Sequence, residues 1–255
     1  MRMNTIKTFP TSEILFQTAA KDFVQRTTQA VKARGICNVV LSGGNTPKSF
    51  FACLTHATFA SHIPWQHIRF FFGDERYVPA NDPASNYHRA QTFLFSKIPV
   101  PPENIFRIPT TELAHATAAA QHYAQILRDL FYLPEGQFPP FDITYLGLGD
   151  NAHTASLMPN TPLVEKYCGA HAQQDKLVAS LWVEALAMYR ITLTPPAINH
   201  SDAIIFLIEG ENKAAAVQKV LEGEKNPLKY PAQLIKNAIW FLDRAAASQL
   251  TRSHT

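Results

Sequence analysis

Residues 39–47 read Val39-Val40-Leu41-Ser42-Gly43-Gly44-Asn45-Thr46-Pro47. A β-branched apolar run breaks on a glycine pair, and a proline, whose fixed φ suits the first turn of a helix, follows directly. Strand, turn and helix in that order are half of a βαβ unit, and a chain that repeats the pattern builds a parallel sheet. The glycines let a ligand approach the backbone, and the N–H groups at the helix start favour an anion.

The pattern recurs on both sides of this stretch. Thr11, Ser12 and Glu13 offer capping side chains, after which Phe16, Ala20, Phe23, Val24, Thr27 and Val31 recur at helical spacing until Gly35. A strand is expected at 36–41, and a second unit begins with a strand at 68–72 that breaks at Gly73-Asp74-Glu75-Arg76. Helices are expected over 86–95 and 112–131, with a short strand at 104–108 between them. Beyond Pro139-Pro140 the spacing predicts strands at 141–146, 177–183, 187–193, 203–208 and 238–242. It also predicts a helix over 212–222 and a terminal helix after the last strand. The unbroken apolar run Ala203–Ile208 fits a strand covered on both faces. The expected fold class is α/β, a mostly parallel sheet with helices on both faces, and residues 1–255 are expected to form a single domain.

At 255 residues and 46% hydrophobic the chain buries a sizeable core. The formal charge of +3 is spread along the sequence, which argues against a nucleic-acid or polybasic membrane surface and suits a small anionic substrate. Cys37, Cys53 and Cys168 are odd in number and lack a CxxC spacing, so neither a disulfide framework nor a zinc ribbon is expected. Residues 1–17 lack the apolar stretch of a signal peptide, and the 203–208 run is too short to span a bilayer. A cytoplasmic location, no membrane contact and a monomer or weak homodimer are expected.

Chemistry concentrates at strand exits. Around Gly43-Gly44, the side chains of Ser42, Asn45 and Thr46 give a phosphate polar partners. Consecutive residues of Asp74-Glu75-Arg76 cannot all face one way; Arg76 is the one expected in a cleft, while each acid taken singly is expected to be solvated. A further segment reads Leu146-Gly147-Leu148-Gly149-Asp150-Asn151-Ala152-His153-Thr154-Ala155-Ser156-Leu157-Met158-Pro159. It delivers His153 onto a glycine-loosened turn after an apolar strand, where an imidazole with a reference pKa of about 6.5 is suited to take a proton from water. Arg190 and Lys213 are the cations added to the anion site. No histidine pair has the HExxH spacing, so no metal is expected.

Taken together these segments resemble the 6-phosphogluconolactonase family, within the broader group that includes glucosamine-6-phosphate deaminase. The resemblance runs in order through Leu41-Ser42-Gly43-Gly44, Asp74-Glu75-Arg76-Tyr77-Val78-Pro79, Ser85-Asn86-Tyr87 and 153–159. It continues through Arg190-Ile191-Thr192-Leu193-Thr194, Gly210-Glu211-Asn212-Lys213-Ala214 and Pro231-Ala232-Gln233-Leu234-Ile235. It implies a modified Rossmann-like fold and hydrolysis of 6-phospho-D-glucono-1,5-lactone to 6-phospho-D-gluconate in the oxidative pentose phosphate pathway, without metal or organic cofactor. It also implies that Ser42, Gly43, Gly44, Arg190 and Lys213 surround the phosphate, that Arg76 lies in the cleft and that His153 activates the water.

This chain departs from the family pattern in three places. Asn151-Ala152 stands where Asp-Gly is usual before the histidine, Asn45 where Ser is usual, and Met158 where Phe is common. Asn151 orients an imidazole by hydrogen bonding but stabilises imidazolium less than a carboxylate does, and Asp150 is the nearest acid to take that place. Two rivals remain, an amino-sugar-phosphate isomerase/deaminase and a non-catalytic sugar-phosphate sensor. The deaminase form carries an acid shortly after the histidine, and Ser156-Leu157-Met158 contains none. Sensors of this kind carry a DNA-binding module, for which the short lead before the first strand leaves little room.

Overall fold

The structure, a computed structural model, describes residues 4–44, 46–170 and 172–251. Among these, ten strands form two sheets. In chain order they are β1 (Thr5–Phe9), β2 (Cys37–Leu41), β3 (Ile68–Phe72), β4 (Asp74–Arg76), β5 (Ile105–Phe106), β6 (Ile143–Leu146), β7 (Val178–Val183), β8 (Met188–Leu193), β9 (Ala203–Ile208) and β10 (Ile239–Asp243). The helices are α1 (Ser12–Arg34), α2 (Thr46–Thr55), α3 (Ala57–Ala60), α4 (Asn86–Phe93), α5 (Ala116–Phe131), α6 (Pro162–Glu165), α7 (Pro195–Asn199) and α8 (Ala214–Leu221).

Seven strands make a parallel sheet in the order β1-β10-β9-β6-β2-β3-β5. Every residue of the inner strands β2, β6 and β9 is buried, as expected of apolar runs covered on both faces. Period-two alternation along β3 assigns the two faces. Phe70 meets Trp65, which packs on Phe23 of α1, whereas Phe71 meets Phe131 at the end of α5. Helices therefore cover both faces. Helix α1 begins where Thr11 Oγ1 accepts the Ile14 N–H and ends where Gly35 turns to φ 77°.

Three details differ from the sequence reading. The edge strand β1 was not anticipated; its five residues are mostly exposed, so they carry little of the apolar pattern that marks a strand. Helix α5 starts at Ala116 rather than at 112, because the Glu112 side chain is engaged with the Thr110 N–H and with Arg107. No terminal helix follows β10 among the described residues. Asp243 instead takes the Ala246 N–H at 2.7 Å in a short turn.

Strands β4, β8 and β7 do not join the parallel sheet. They form a separate antiparallel sheet in the order β4-β8-β7. The β7–β8 hairpin closes through a 3₁₀ turn, Glu184–Leu186, with Ala187 at φ 44°. Gly73 joins the two sheets, its N–H donating to Leu41 O at 2.9 Å and its carbonyl accepting from Leu193 N–H at 2.7 Å.

The chain leaves β2 toward β3 and β5 on one side and returns to β6 on the other. Such a reversal of strand order opens a crevice at the carboxyl ends of the strands. The segments after β2, β3, β6 and β9, four neighbours in the sheet, hold Gly43-Gly44, Arg76, His153 and Lys213 in turn.

Candidate active site

His153 sits on a turn closed by its own backbone. Gly149 N–H donates to His153 O and Ala152 N–H to Gly149 O, both at 2.8 Å, and Thr154 Oγ1 donates to Gly147 O at 2.9 Å. The ring lies so near Gly149 that a Cβ there would stand 2.1 Å from Nδ1, so the close approach requires glycine. Asn151 Oδ1 accepts the His153 backbone N–H at 3.2 Å and lies 2.6 Å from Nδ1. An amide oxygen donates nothing, so Nδ1 carries the ring proton and Nε2 keeps its lone pair. Burial pushes the imidazole pKa below its ordinary value. Asp74 and Asp150 pull it up, while Arg190 and Lys213 push it down. Arg190 and Lys213 are thus among the charges that bear on the ring.

Arg76 and Arg190 lie opposite each other where β4 pairs with β8. Arg76 donates to Ala84 O through Nη1, and Arg190 Nη1 stands 4.0 Å from Asp74 Oδ2. The Nε atoms of both are buried without a hydrogen-bond partner among the described residues. Burial, and then the neighbouring Arg76, lower the Arg190 pKa.

The acids of 74–76 are not solvated. Asp74 is 5% exposed and Glu75 2%. Strand β4 is held between β8 and α4, so both carboxylates meet donors inside. Glu75 accepts the N–H groups of Arg76, Asn86 and Tyr87 at 2.7–2.8 Å and the Ser85 hydroxyl at 3.0 Å, fixing the start of α4. Burial nevertheless pushes its pKa up. Asp74 accepts Ser156 Oγ at 2.6 Å and Asn86 Nδ2 at 3.0 Å.

Asn86 in turn shapes the turn after β2. A Cβ on Gly43 would lie 1.8 Å from Asn86 Oδ1, so only glycine fits, and Gly44 adopts φ 109°. Ser42, Gly43 and Gly44 line a small pocket with Lys48, Asn86 and Arg89. Thr46 opens α2 and hydrogen-bonds the Glu209 carboxyl, whose pKa burial and Asp243 raise. Asn45 lies outside the described residues.

Lys213 occupies the 3₁₀ turn Glu211–Lys213 ahead of α8, and its ammonium is ion-paired with Asp150, which also accepts Asn212 Nδ2 at 3.1 Å. Asp150 therefore holds Lys213, and among the described residues Asn151 is the hydrogen-bond partner of the imidazole at Nδ1. A wider cleft of about 610 Å³ opens beside the same turn, bordered by Asp150, Asn151, Met158, Trp182 and Tyr230.

A model of the family described as Glucosamine-6-phosphate isomerases/6-phosphogluconolactonase matches residues 10–241. The chain belongs to this family. A 6-phosphogluconolactonase of a Nostoc species is 34% identical over 97% of this chain and 98% of its own length. One from a Synechocystis species is 36% identical over 93% and 95%. The crystal structure of the devB protein superposes with a TM-score of 0.85 at 30% identity, covering 98% of this chain and all of the other. The 6-phosphogluconolactonase of Trypanosoma brucei gives 0.82 at 25%, with the same coverage. A monomeric glucosamine-6-phosphate deaminase shares the fold, with a TM-score of 0.76 at 24% identity over 96% of this chain and 99% of that one.

Of the departures read from the sequence, Asn151-Ala152 has a visible structural consequence. Ala152 has φ 65°, a left-handed conformation in which glycine is unstrained and alanine is not. Sequence reading missed three side chains that build the site: Asp74, Ser156 and Asn86. All three lie in segments that carry the family resemblance, but their burial shows only once β4, α4 and the histidine turn are brought together.

Proposed function

We propose that the chain hydrolyses 6-phospho-D-glucono-1,5-lactone with His153 as general base. The observation that carries this reading is an imidazole whose Nδ1 lies 2.6 Å from Asn151 Oδ1, which leaves the Nε2 lone pair for a water, with Arg190 and Lys213 among the charges that bear on the ring. The phosphate is held by the Gly43-Gly44 turn with Arg190 and Lys213, which places the ring carbonyl before a water at Nε2. Nε2 takes a proton from the water as its oxygen bonds to C1, and the carbonyl oxygen becomes an oxyanion. Arg76 stands opposite Arg190 to receive that charge. The C1–O5 bond then breaks, the imidazolium returns its proton to O5, and the new carboxylic acid ionises. Positioning supplies several kcal/mol, and general-base assistance about a hundredfold to ten-thousandfold.

The names of the relatives support the lactone as substrate, and the absence of an acid in Ser156-Leu157-Met158 favours it over an amino-sugar phosphate. Freshly generated phosphorylated lactone should release acid in the presence of the protein, with the unphosphorylated lactone a poor substrate. Equal rates on the two lactones would remove the phosphate site from the reading. Ammonia release from glucosamine 6-phosphate without lactonase turnover would replace it with the deaminase.

A further inference from the structure

We propose that Asp74 is the positioning residue for His153, a buried carboxylate that ties the histidine turn to the arginine strand and supplies the negative charge that the Asn151 amide lacks. This rests on the reading of His153 as the base.

Asp74 is joined to three separate parts of the site. Its Oδ2 accepts Ser156 Oγ at 2.6 Å, three residues beyond His153, and stands 4.0 Å from Arg190 Nη1. Its Oδ1 accepts Asn86 Nδ2 at 3.0 Å, and the other end of that amide rests against Gly43. Ser156 is fully buried, and its N–H is also held by Thr192 Oγ1 at 3.3 Å, so the turn is pinned at backbone and side chain together. An ordinary structural aspartate is satisfied by one helix start. Glu75, its neighbour, has that role.

The charged groups that act on the imidazole are Asp74 from β4, Arg190 from β8, Lys213 from the turn after β9 and Asp150 from its own turn. Asp150 is ion-paired with Lys213 and pulls least of these groups on the ring. Asp74 is thus the acid with the larger pull when the ring becomes imidazolium, and Arg190 stands 4.0 Å from it. An anion held by Arg190 would turn that guanidinium away from Asp74 and strengthen its hold on the imidazolium.

The test follows the His153 ring by NMR in histidine-labelled protein, its signal assigned by its loss in His153→Asn, together with the pH profile of kcat/KM. Asp74→Asn should lower the His153 midpoint by on the order of one unit and move the acid limb of the profile down with it. Asp74→Glu should recover part of that shift. Ser156→Ala keeps the charge but frees the turn, so kcat should fall about tenfold, the scale of one charged hydrogen bond, with the midpoint nearly unchanged. An unmoved midpoint in Asp74→Asn, or wild-type kcat in Ser156→Ala, overturns the proposal. Should Asp74→Asn fail to fold, wild-type kcat in Ser156→Ala overturns the proposal by itself. The NMR midpoint does not depend on turnover. Activity surviving in His153→Ala would therefore defeat the base assignment separately, leaving the electrostatic coupling measured on its own.

Discussion

Arg76 and Arg190 are direct partners in the β4–β8 ladder, and each keeps a buried Nε with no acceptor among the described residues. Like charges opposite one another on a sheet repel, and a buried donor left unpaired costs about 1–3 kcal/mol. The phosphate dianion proposed to lie on Arg190 would relieve both costs at that residue. Arg190→Ala should therefore raise KM for the phosphorylated lactone by roughly tenfold to a hundredfold, the scale of a charged hydrogen bond. Its effect on the unphosphorylated lactone should be small. Steady-state kinetics on both substrates check this, and an equal change in the two would show that Arg190 does not contact the phosphate.

His153→Ala should reduce kcat about a hundredfold to ten-thousandfold while leaving the affinity for 6-phosphogluconate close to wild type. A base acts in its neutral form, so activity should rise with pH through the His153 midpoint and level off above it. Because burial lowers that midpoint, the rise should centre below the ordinary value of 6.5. A limb centred above 6.5 would contradict the environment described for the ring.

Asn151→Asp places a carboxylate where Oδ1 now stands 2.6 Å from Nδ1. An adjacent negative charge favours imidazolium, so the acid limb of kcat/KM should move up by about one unit or more. The plateau rate should rise as the ring becomes a stronger base. A profile superimposable on that of wild type would mean that the residue at 151 only orients the ring.

Ala152 is held at φ 65°. Relief of left-handed strain in Ala152→Gly, less the added freedom of glycine in the unfolded chain, should stabilise the protein by roughly 0.5–1 kcal/mol. For a chain of this size that corresponds to a Tm increase of roughly 1–4 °C, measurable by calorimetry. A lower Tm would indicate that the alanine methyl, 1% exposed as part of a buried residue, contributes more by packing than the backbone loses.

The elements that could be read from sequence are those whose signal is local. Helix α1 carries its caps and apolar spacing within its own residues, and β9 is an unbroken apolar run. The glycine turn after β2 and the histidine turn after β6 were legible for the same reason. Strand β4 was not, because three charged residues form a strand only when β8 supplies the ladder. The burial of Asp74 and Glu75 was misread alike, since their donors come from α4 and from Ser156.

Residue order alone determined an α/β sheet with its chemistry at strand exits, because backbone conformation and apolar period depend on near neighbours. Which charges face one another was decided by the fold. Coulombic and hydrogen-bonding partners are fixed by distances across the sheet, and these brought Arg76 to Arg190, Lys213 to Asp150, and Asp74 to Ser156 across 82 positions of chain.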